Sequence, residues 1–243
     1  MKPINHKVPL IQQKLQDCVQ ASAAQILSFY GIKKDLKEIK KEVPVYISKN
    51  NKPLGSSLGH IGTYFLKLGL EATIHTTDTQ IFDRSWQKLT KKEIIGKLIK
   101  RKKYIKHPIY QKEEFNLIFD GYISFLKSGG KINFPIITNE YIYNLLQKGP
   151  IYAVINFQFL NSVPKYTLNN KTGQIVKDDI KGNSSTHAIV ISGFKNNKYI
   201  IVDPDENFGG VREIEVDHLL GSFYLAQTDY DNLLISLAQK IYL

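Results

Sequence analysis

The apolar positions of this chain recur in two rhythms, helical first and alternating later. In "DCVQASAAQILSFY", Ala21, Ala24, Leu27 and Ser28 fall on one stripe, with Ile26 and Tyr30 beside it. That spacing predicts a helix from Asp17 to Tyr30. Gly31 then ends it, since glycine tolerates the left-handed position just past a helix. "DLKEIKKEV" reads as a short helix capped by Asp35. "GSSLGHIGTYFLKLG" has a serine start, apolar Leu58, Ile61, Phe65, Leu66 and Leu68, and a stop at Gly69. "LEATIHT" alternates as a strand does.

Residues 77–136 change character. "TKKEIIGKLIKRKKYIKH" and "KEEFNLIFDGYISFLK" predict two helices separated by Pro108. The first sets Ile94, Ile95, Leu98 and Ile99 on one face and a block of lysines on the other. Some sixty residues make too small a core to stand alone. The stretch is therefore expected to be a lysine-rich helical insertion within a single domain spanning 1–243. Beyond it, "NEYIYNLLQKG" predicts a helix and "PIYAVIN" a strand, with a polar loop from 161 to 186. "HAIVISGF" and "KYIIVD" predict two strands joined by a turn at Lys195-Asn196-Asn197. "VREIEV" is a further strand, "DHLLGSF" a short helix, and "NLLISLA" a last strand or helix. Helices lead and antiparallel strands follow, so the class is α+β.

Composition narrows the picture. A chain of 243 residues with 42% hydrophobic and 23% charged residues suits a globular protein with a substantial core. The single cysteine excludes an intramolecular disulfide and a multi-cysteine zinc site. No stretch approaches the roughly 18 apolar residues of a membrane span. "MKPINHKVPLIQQ" lacks the apolar run of a signal peptide, which makes the cytoplasm the default compartment, with export by another route left open. The net charge of +11 comes almost wholly from lysine; arginine occurs only at Arg84, Arg101 and Arg212. Base-reading proteins favour the arginine fork, so no specific nucleic-acid partner is expected. The lysine-rich face of 77–136 leaves room for an acidic partner or an anionic membrane surface, although packing of its apolar side on the core is the simpler expectation.

The lone thiol is the first candidate for chemistry. Cys18 opens a helix, where unpaired N–H groups and the helix dipole favour a thiolate, the nucleophilic form. Asp17 is placed to cap that helix. A lone cysteine is also commonly a small buried hydrophobe, so position alone leaves both readings open. A nucleophilic cysteine needs a base. Of the six histidines, His187 stands apart: it follows the small polar run "GNSST" and opens the apolar strand "HAIVISGF". The base needs an orienting group, and Asp203 ends the neighbouring strand.

Strand parity sets a condition on that pair. A two-residue loop would place Asp203 opposite Val190, on the wrong face. A three-residue loop would place it opposite Ile189, on the face of His187. Joining the two side chains therefore requires an odd loop, a bulge, or an Asp203 just past the strand end. An acyl-transfer site also needs donors for an oxyanion; the Cys18 N–H and a side-chain amide from Gln12 or Gln13 are candidates.

Taken together, these residues resemble the C39-like peptidases, a branch of the papain-like cysteine proteases. The family pattern runs from a glutamine through Asp-Cys-Gly to a helix ending Ile-Leu-x-x-Tyr-Gly. Here Gln12, Asp17, Cys18, Ala21, Ile26, Leu27, Tyr30 and Gly31 stand in register with it. "LGSSLGHIGTYFLKLGLEA", "YNLLQKGPIYAVI" and "HAIVISGFKNNKYIIVDP" resemble its later segments, whereas 77–136 has no counterpart. The resemblance implies a papain-like fold, with N-terminal helices packed on a C-terminal antiparallel sheet. It implies Cys18 as nucleophile, His187 as base, Asp203 as orienter and Gln12 rather than Gln13 as the oxyanion residue. The substrate would be a peptide or protein, and no cofactor is implied. Val19 replaces the family glycine, a position expected to border the substrate cleft. Acyl transfer or deamidation at the same site, and a non-catalytic binding module, are the alternative readings. Asp203-x-Asp205-x-Asn207 begins like a calcium loop but has Phe208 and Ile214 where such a loop needs glycine and glutamate, so no metal is expected.

Overall fold

The chain opens with a two-residue strand, β1 (Ile4–Asn5), and then the helix expected after Asp17, α1 (Cys18–Phe29). The computed structural model describes residues 1–14, 17–47, 53–105, 112–168, 175–226 and 233–240. Helix α1 buries Ala21, Ala23, Ala24, Ile26 and Leu27. Gly31 takes φ of 77°, which lets its N–H reach Ser28 O and the Ile32 N–H reach Leu27 O, closing the helix with a paired 5→2 and 6→1 turn. In α2 (Leu36–Glu42), Asp35 and Glu38 form a reciprocal capping box. A small ladder, β2 (Tyr46–Ile47) with β3 (Pro53–Gly55), precedes α3 (Leu58–Lys67) and β4 (Leu70–Thr76).

The stretch 77–136 holds α4 (Lys91–Tyr104) and α5 (Lys112–Lys127), as the pattern predicts, but it is not wholly helical. It also supplies β5 (Lys131–Asn133), which joins the main sheet parallel to β4. In α5, Phe119, Tyr122 and Phe125 are fully buried in the same core as α1 and α3. On α4 the apolar face is narrower than expected: Ile94 and Leu98 are buried, but Ile99 is 46% exposed. Part of its basic face is used within the chain. Lys102 pairs with Asp120, Arg101 donates to Gln80 O, and Lys97 lies over the Trp86 ring.

Then come α6 (Asn139–Leu146), β6 (Ile151–Asn156) and α7 (Phe157–Asn161). The segment expected as a polar loop contains a hairpin, β7 (Tyr166–Leu168) with β8 (Ile175–Lys177), and α7 just before it was not expected. Next are β9 (Thr186–Lys195), β10 (Lys198–Asp203), β11 (Gly210–Glu215), α8 (Val216–Tyr224) and β12 (Leu233–Gln239). The main sheet runs β11-β10-β9-β6-β12-β4-β5, with β1 added to the end of β9, and β4–β5 is its parallel step. The late strand β12 lies between β6 and β4 and pairs antiparallel with both.

The sheet separates two cores. On one side α1, α3 and α5 cover Ala188, Val190 and Val202; on the other α6 and α8 cover Ile189, Ile191, Tyr199 and Ile201. Strand β9 is thus buried on both faces, which explains its continuous apolar run. It also holds its first residues rigidly, at the place where α1 begins.

Candidate active site

Cys18 is the first residue of α1 and is partly exposed. The preceding Asp17 does not cap the helix. Its carboxylate is buried and pairs with Lys40 of α2. Burial of an unpaired carboxylate would be costly, so the ion pair takes precedence over the cap. The helix start is held from the sheet side as well: the Ser22 hydroxyl donates to Ala188 O at 2.9 Å, next to His187.

The connection between β9 and β10 is a two-residue turn, not three. Asn196 and Asn197 both adopt left-handed backbone, with φ of 52° and 60°. Such a turn suits the twist of a hairpin. The register then shifts. Ile200 faces Gly193, but Ile201 faces Ile191, so Ser192 is skipped as a bulge. Past the Val202–Val190 pair, Asp203 therefore falls opposite Ile189, on the same face as His187. The His187 Nε2 to Asp203 Oδ1 distance is 2.7 Å.

With Nε2 engaged by Asp203, Nδ1 is left for Cys18, which hydrogen-bonds to the His187 ring. Burial opposes the Cys18 thiolate, but the hydrogen bond and charge of His187 outweigh it, helped by the N–H groups of Ala188 and Val19. The thiol is therefore held below its ordinary value. Burial likewise opposes the His187 imidazolium, yet hydrogen bonds to Asp203 and Cys18 push it up to about 10. Asp203 is fully buried; despite that, its bond to His187 keeps it below the usual carboxylate range. The arrangement favours a thiolate–imidazolium pair at neutral pH.

Several further residues surround the pair, of which Arg212, Asn161 and Phe157 carry no motif in the sequence. Arg212 of β11 donates Nη2 to Asp203 Oδ2 at 2.7 Å and to Asn161 Oδ1 at 2.6 Å. The Phe157 ring meets the His187 ring edge-on at 5.3 Å and is flanked by Phe208 at 5.8 Å. The Asp205 N–H donates to Asp203 Oδ1 at 3.0 Å. The two glutamines divide. Gln12 is exposed, whereas Gln13 is anchored through its N–H to Pro204 O at 2.8 Å and through Nε2 to Asp205 Oδ2 at 3.4 Å. Val19 is partly buried, rests against the core beneath α1, and accepts a bond from the Tyr152 hydroxyl at 3.4 Å. The calcium-like run turns its acidic groups to protein donors: Asp205 Oδ1 accepts from the Asn207 and Phe208 N–H groups. Among the described residues, no group of three or more His, Cys, Asp or Glu could hold a metal ion, and no helix is long and apolar enough to cross a membrane.

The fold built around this helix–sheet junction is that of the C39-like peptidases. A solved C39-like peptidase from Bacillus anthracis superposes with a TM-score of 0.52 over 100% of both chains, at 13% identity. Two further structures align at lower scores. The double glycine motif protease of an AMS/PCAT transporter, solved with a leader peptide, gives 0.45 at 15% identity over 99% of each chain. The peptidase domain of Streptococcus ComA, a bi-functional ABC transporter of a quorum-sensing pathway, gives 0.42 at 17% identity over 95% of this chain and 98% of that one. The model of the Peptidase_C39 like family matches residues 5–231, and the chain belongs to that family. It includes the 77–136 stretch within its span. No curated protein matches this sequence.

Proposed function

We propose that this protein is a cysteine peptidase that hydrolyses a peptide or related amide bond. Cys18 is the nucleophile: its thiolate attacks the carbonyl carbon and forms a tetrahedral oxyanion. The His187 imidazolium gives its proton to the leaving amine as the C–N bond breaks, leaving a thioester on Cys18. Neutral His187 then takes a proton from water, whose oxygen attacks the thioester and releases the acid. Asp203 holds the imidazole ring and its Nε2 proton in place. The Cys18 N–H and the Gln12 side-chain amide hold the oxyanion.

The observation that carries this reading is the line from the partly exposed Cys18 through the buried His187 to the buried Asp203, with 2.7 Å between the last two. Family membership supports a peptidase, and partial exposure leaves Cys18 accessible.

The test is alkylation of Cys18 by iodoacetamide at pH 6, followed by mass spectrometry; the chain has no other cysteine to confuse the result. The proposal expects modification much faster than that of a free thiol of pKa roughly 8.5. It also expects cleavage within a peptide library that Cys18→Ala abolishes. Cys18 reacting no faster than a free thiol would sink the reading. Fast alkylation with no peptide cleaved would move it to acyl transfer or deamidation.

A further inference from the structure

Asp203 must do more than exist near His187. A carboxylate at the end of a strand can rotate away from the ring unless its oxygens are held. Both of its oxygens are occupied: Oδ1 accepts from His187 Nε2 and the Asp205 N–H, and Oδ2 accepts from Arg212 Nη2. That arginine is itself held. The same Nη2 donates to Asn161 Oδ1 at 2.6 Å, so its two hydrogens divide between the two acceptors. Asn161 Nδ2 donates in turn to Phe157 O at 3.1 Å, and the Phe157 ring packs on His187. The contacts close on themselves: His187, Asp203, Arg212, Asn161, Phe157 and back to His187.

The ring joins elements that share no local sequence. Arg212 lies opposite Ile201 on β11, and thus on the face of Asp203. Asn161 ends α7, whose start is fixed by the Phe157 N–H to Ser185 O at 2.9 Å and by Gln158 Oε1 accepting from the Ser185 N–H at 2.7 Å. Ser185 stands two residues before His187. Both ends of the ring therefore converge on the base.

From this closed path we propose that Arg212, steadied by Asn161, is the positioning residue that fixes the Asp203 carboxylate against His187. The proposal rests on the peptidase reading of the site. Arg212 touches no substrate atom in it; it acts through Asp203. The charged groups facing His187 are Cys18 from α1 and Asp203 from β10. Those facing Asp203 are His187 and Arg212, with the Asp205 carboxylate turned to Gln13, Asn207 and Phe208.

Positioning and mere charge predict opposite signs. If Arg212 only supplied positive charge, removing it would strengthen the pull of Asp203 on the imidazolium, and His187 would hold its proton to higher pH. If Arg212 fixes the carboxylate, removal lets Asp203 turn away, and His187 loses its proton at lower pH.

The experiment is an NMR titration of the His187 ring in wild type, Arg212→Met and Arg212→Lys, with iodoacetamide alkylation of Cys18 at pH 6 alongside. Arg212→Met is expected to lower the His187 midpoint by about one unit or more. Arg212→Lys, which restores one charged nitrogen, is expected to keep its midpoint near that of wild type. A midpoint that stays or rises in Arg212→Met overturns the proposal. If that variant does not fold, Asn161→Ala decides: the same change at smaller size supports it, and an unchanged titration refutes it. Slow wild-type alkylation would instead defeat the peptidase reading itself, a result separable from a midpoint that ignores Arg212.

Discussion

His187 and Asp203 share one face of the β9–β10 ladder because Ser192 is skipped in the register. The two-residue Asn196-Asn197 turn alone would put Val190 opposite Asp203 and send the carboxylate into the opposite core. The bulge corrects this by one residue. It is held by the Ser192 hydroxyl donating to Ile200 O at 3.3 Å and by the His6 N–H donating to Ser192 O at 2.8 Å.

The bulge can be tested by length. Deleting Ser192 removes the bulge but leaves Ile201 opposite Ile191 and Asp203 opposite Ile189, so rapid alkylation of Cys18 at pH 6 is expected to survive it. Ser192→Ala keeps the extra residue and loses one long hydrogen bond, so it is expected to alkylate within about twofold of wild type, at a cost of about 1 kcal/mol in stability. Alkylation rates, compared on samples shown folded by circular dichroism, check both. Loss of rapid alkylation in a folded deletion variant would show that the bulge itself, and not the register it sets, governs the pair.

Which parts were legible follows from how local their causes are. Helix α1 could be read because its alanine stripe, the Gly31 stop and the Ala23–Leu27 burial all lie within fifteen residues. The need for a parity correction between His187 and Asp203 was also readable, since it depends only on counting. Its location was not. Ser192 is one small residue in an apolar run, and the β1 segment that receives its carbonyl is far away in sequence. The same holds for β12, whose alternation left strand and helix open; only its pairing with β6 and β4 decides. Arg212 on an alternating edge strand looks like any solvated cation until Asn161 and Asp203 meet it. The α7 turn and the β7–β8 hairpin are too short for periodicity to register.

The pH dependence of stability carries the mark of His187. Burial opposes its charge, but Asp203 and Cys18 raise its folded value to about 10, against about 6.5 in the unfolded chain. A raised value means the folded state holds the proton longer. The contribution is therefore complete below about pH 6.5 and is lost as pH rises toward the folded value. Cys18 shifts in the other direction and masks this in wild type, so the comparison belongs in a Cys18→Ala background. There only Asp203 holds the His187 proton, so the stability gap between His187 and His187→Gln, measured by guanidinium unfolding, is expected to shrink as pH rises above about 6.5 and to close below pH 10. A gap constant with pH would mean that Asp203 alone does not raise the His187 value.

The contact of α3 with α5 ties the 77–136 stretch to the fold. A Cβ on Gly59 would stand 2.2 Å from the carbonyl carbon of Gly121, a backbone approach only glycine allows. Gly59→Ala is therefore expected to destabilise by about 1–3 kcal/mol or more, as overpacked cores do. Gly96 on α4 faces open space, and Gly96→Ala is expected to stabilise by roughly 0.5–1 kcal/mol through helix propensity. Thermal unfolding of the two variants distinguishes them. A neutral Gly59→Ala would mean that α5 does not pack as closely as 2.2 Å implies.

The two glutamines before Cys18 differ in what holds them, and this separates binding of the oxyanion from support of the site. Gln13 is tied to the loop after Asp203 through Pro204 and Asp205, while Gln12 is exposed. Alkylation by iodoacetamide passes through no oxyanion, whereas amide hydrolysis does. Gln12→Ala is therefore expected to cut peptide hydrolysis by about 10²–10³ while leaving alkylation at pH 6 within about twofold. Gln13→Ala is expected to lower both modestly and together, because it loosens the Asp205 loop that supports Asp203. Steady-state hydrolysis and alkylation measured on the same preparations decide the matter. If Gln13→Ala shows the large loss confined to hydrolysis, the oxyanion amide belongs to Gln13 and not to Gln12.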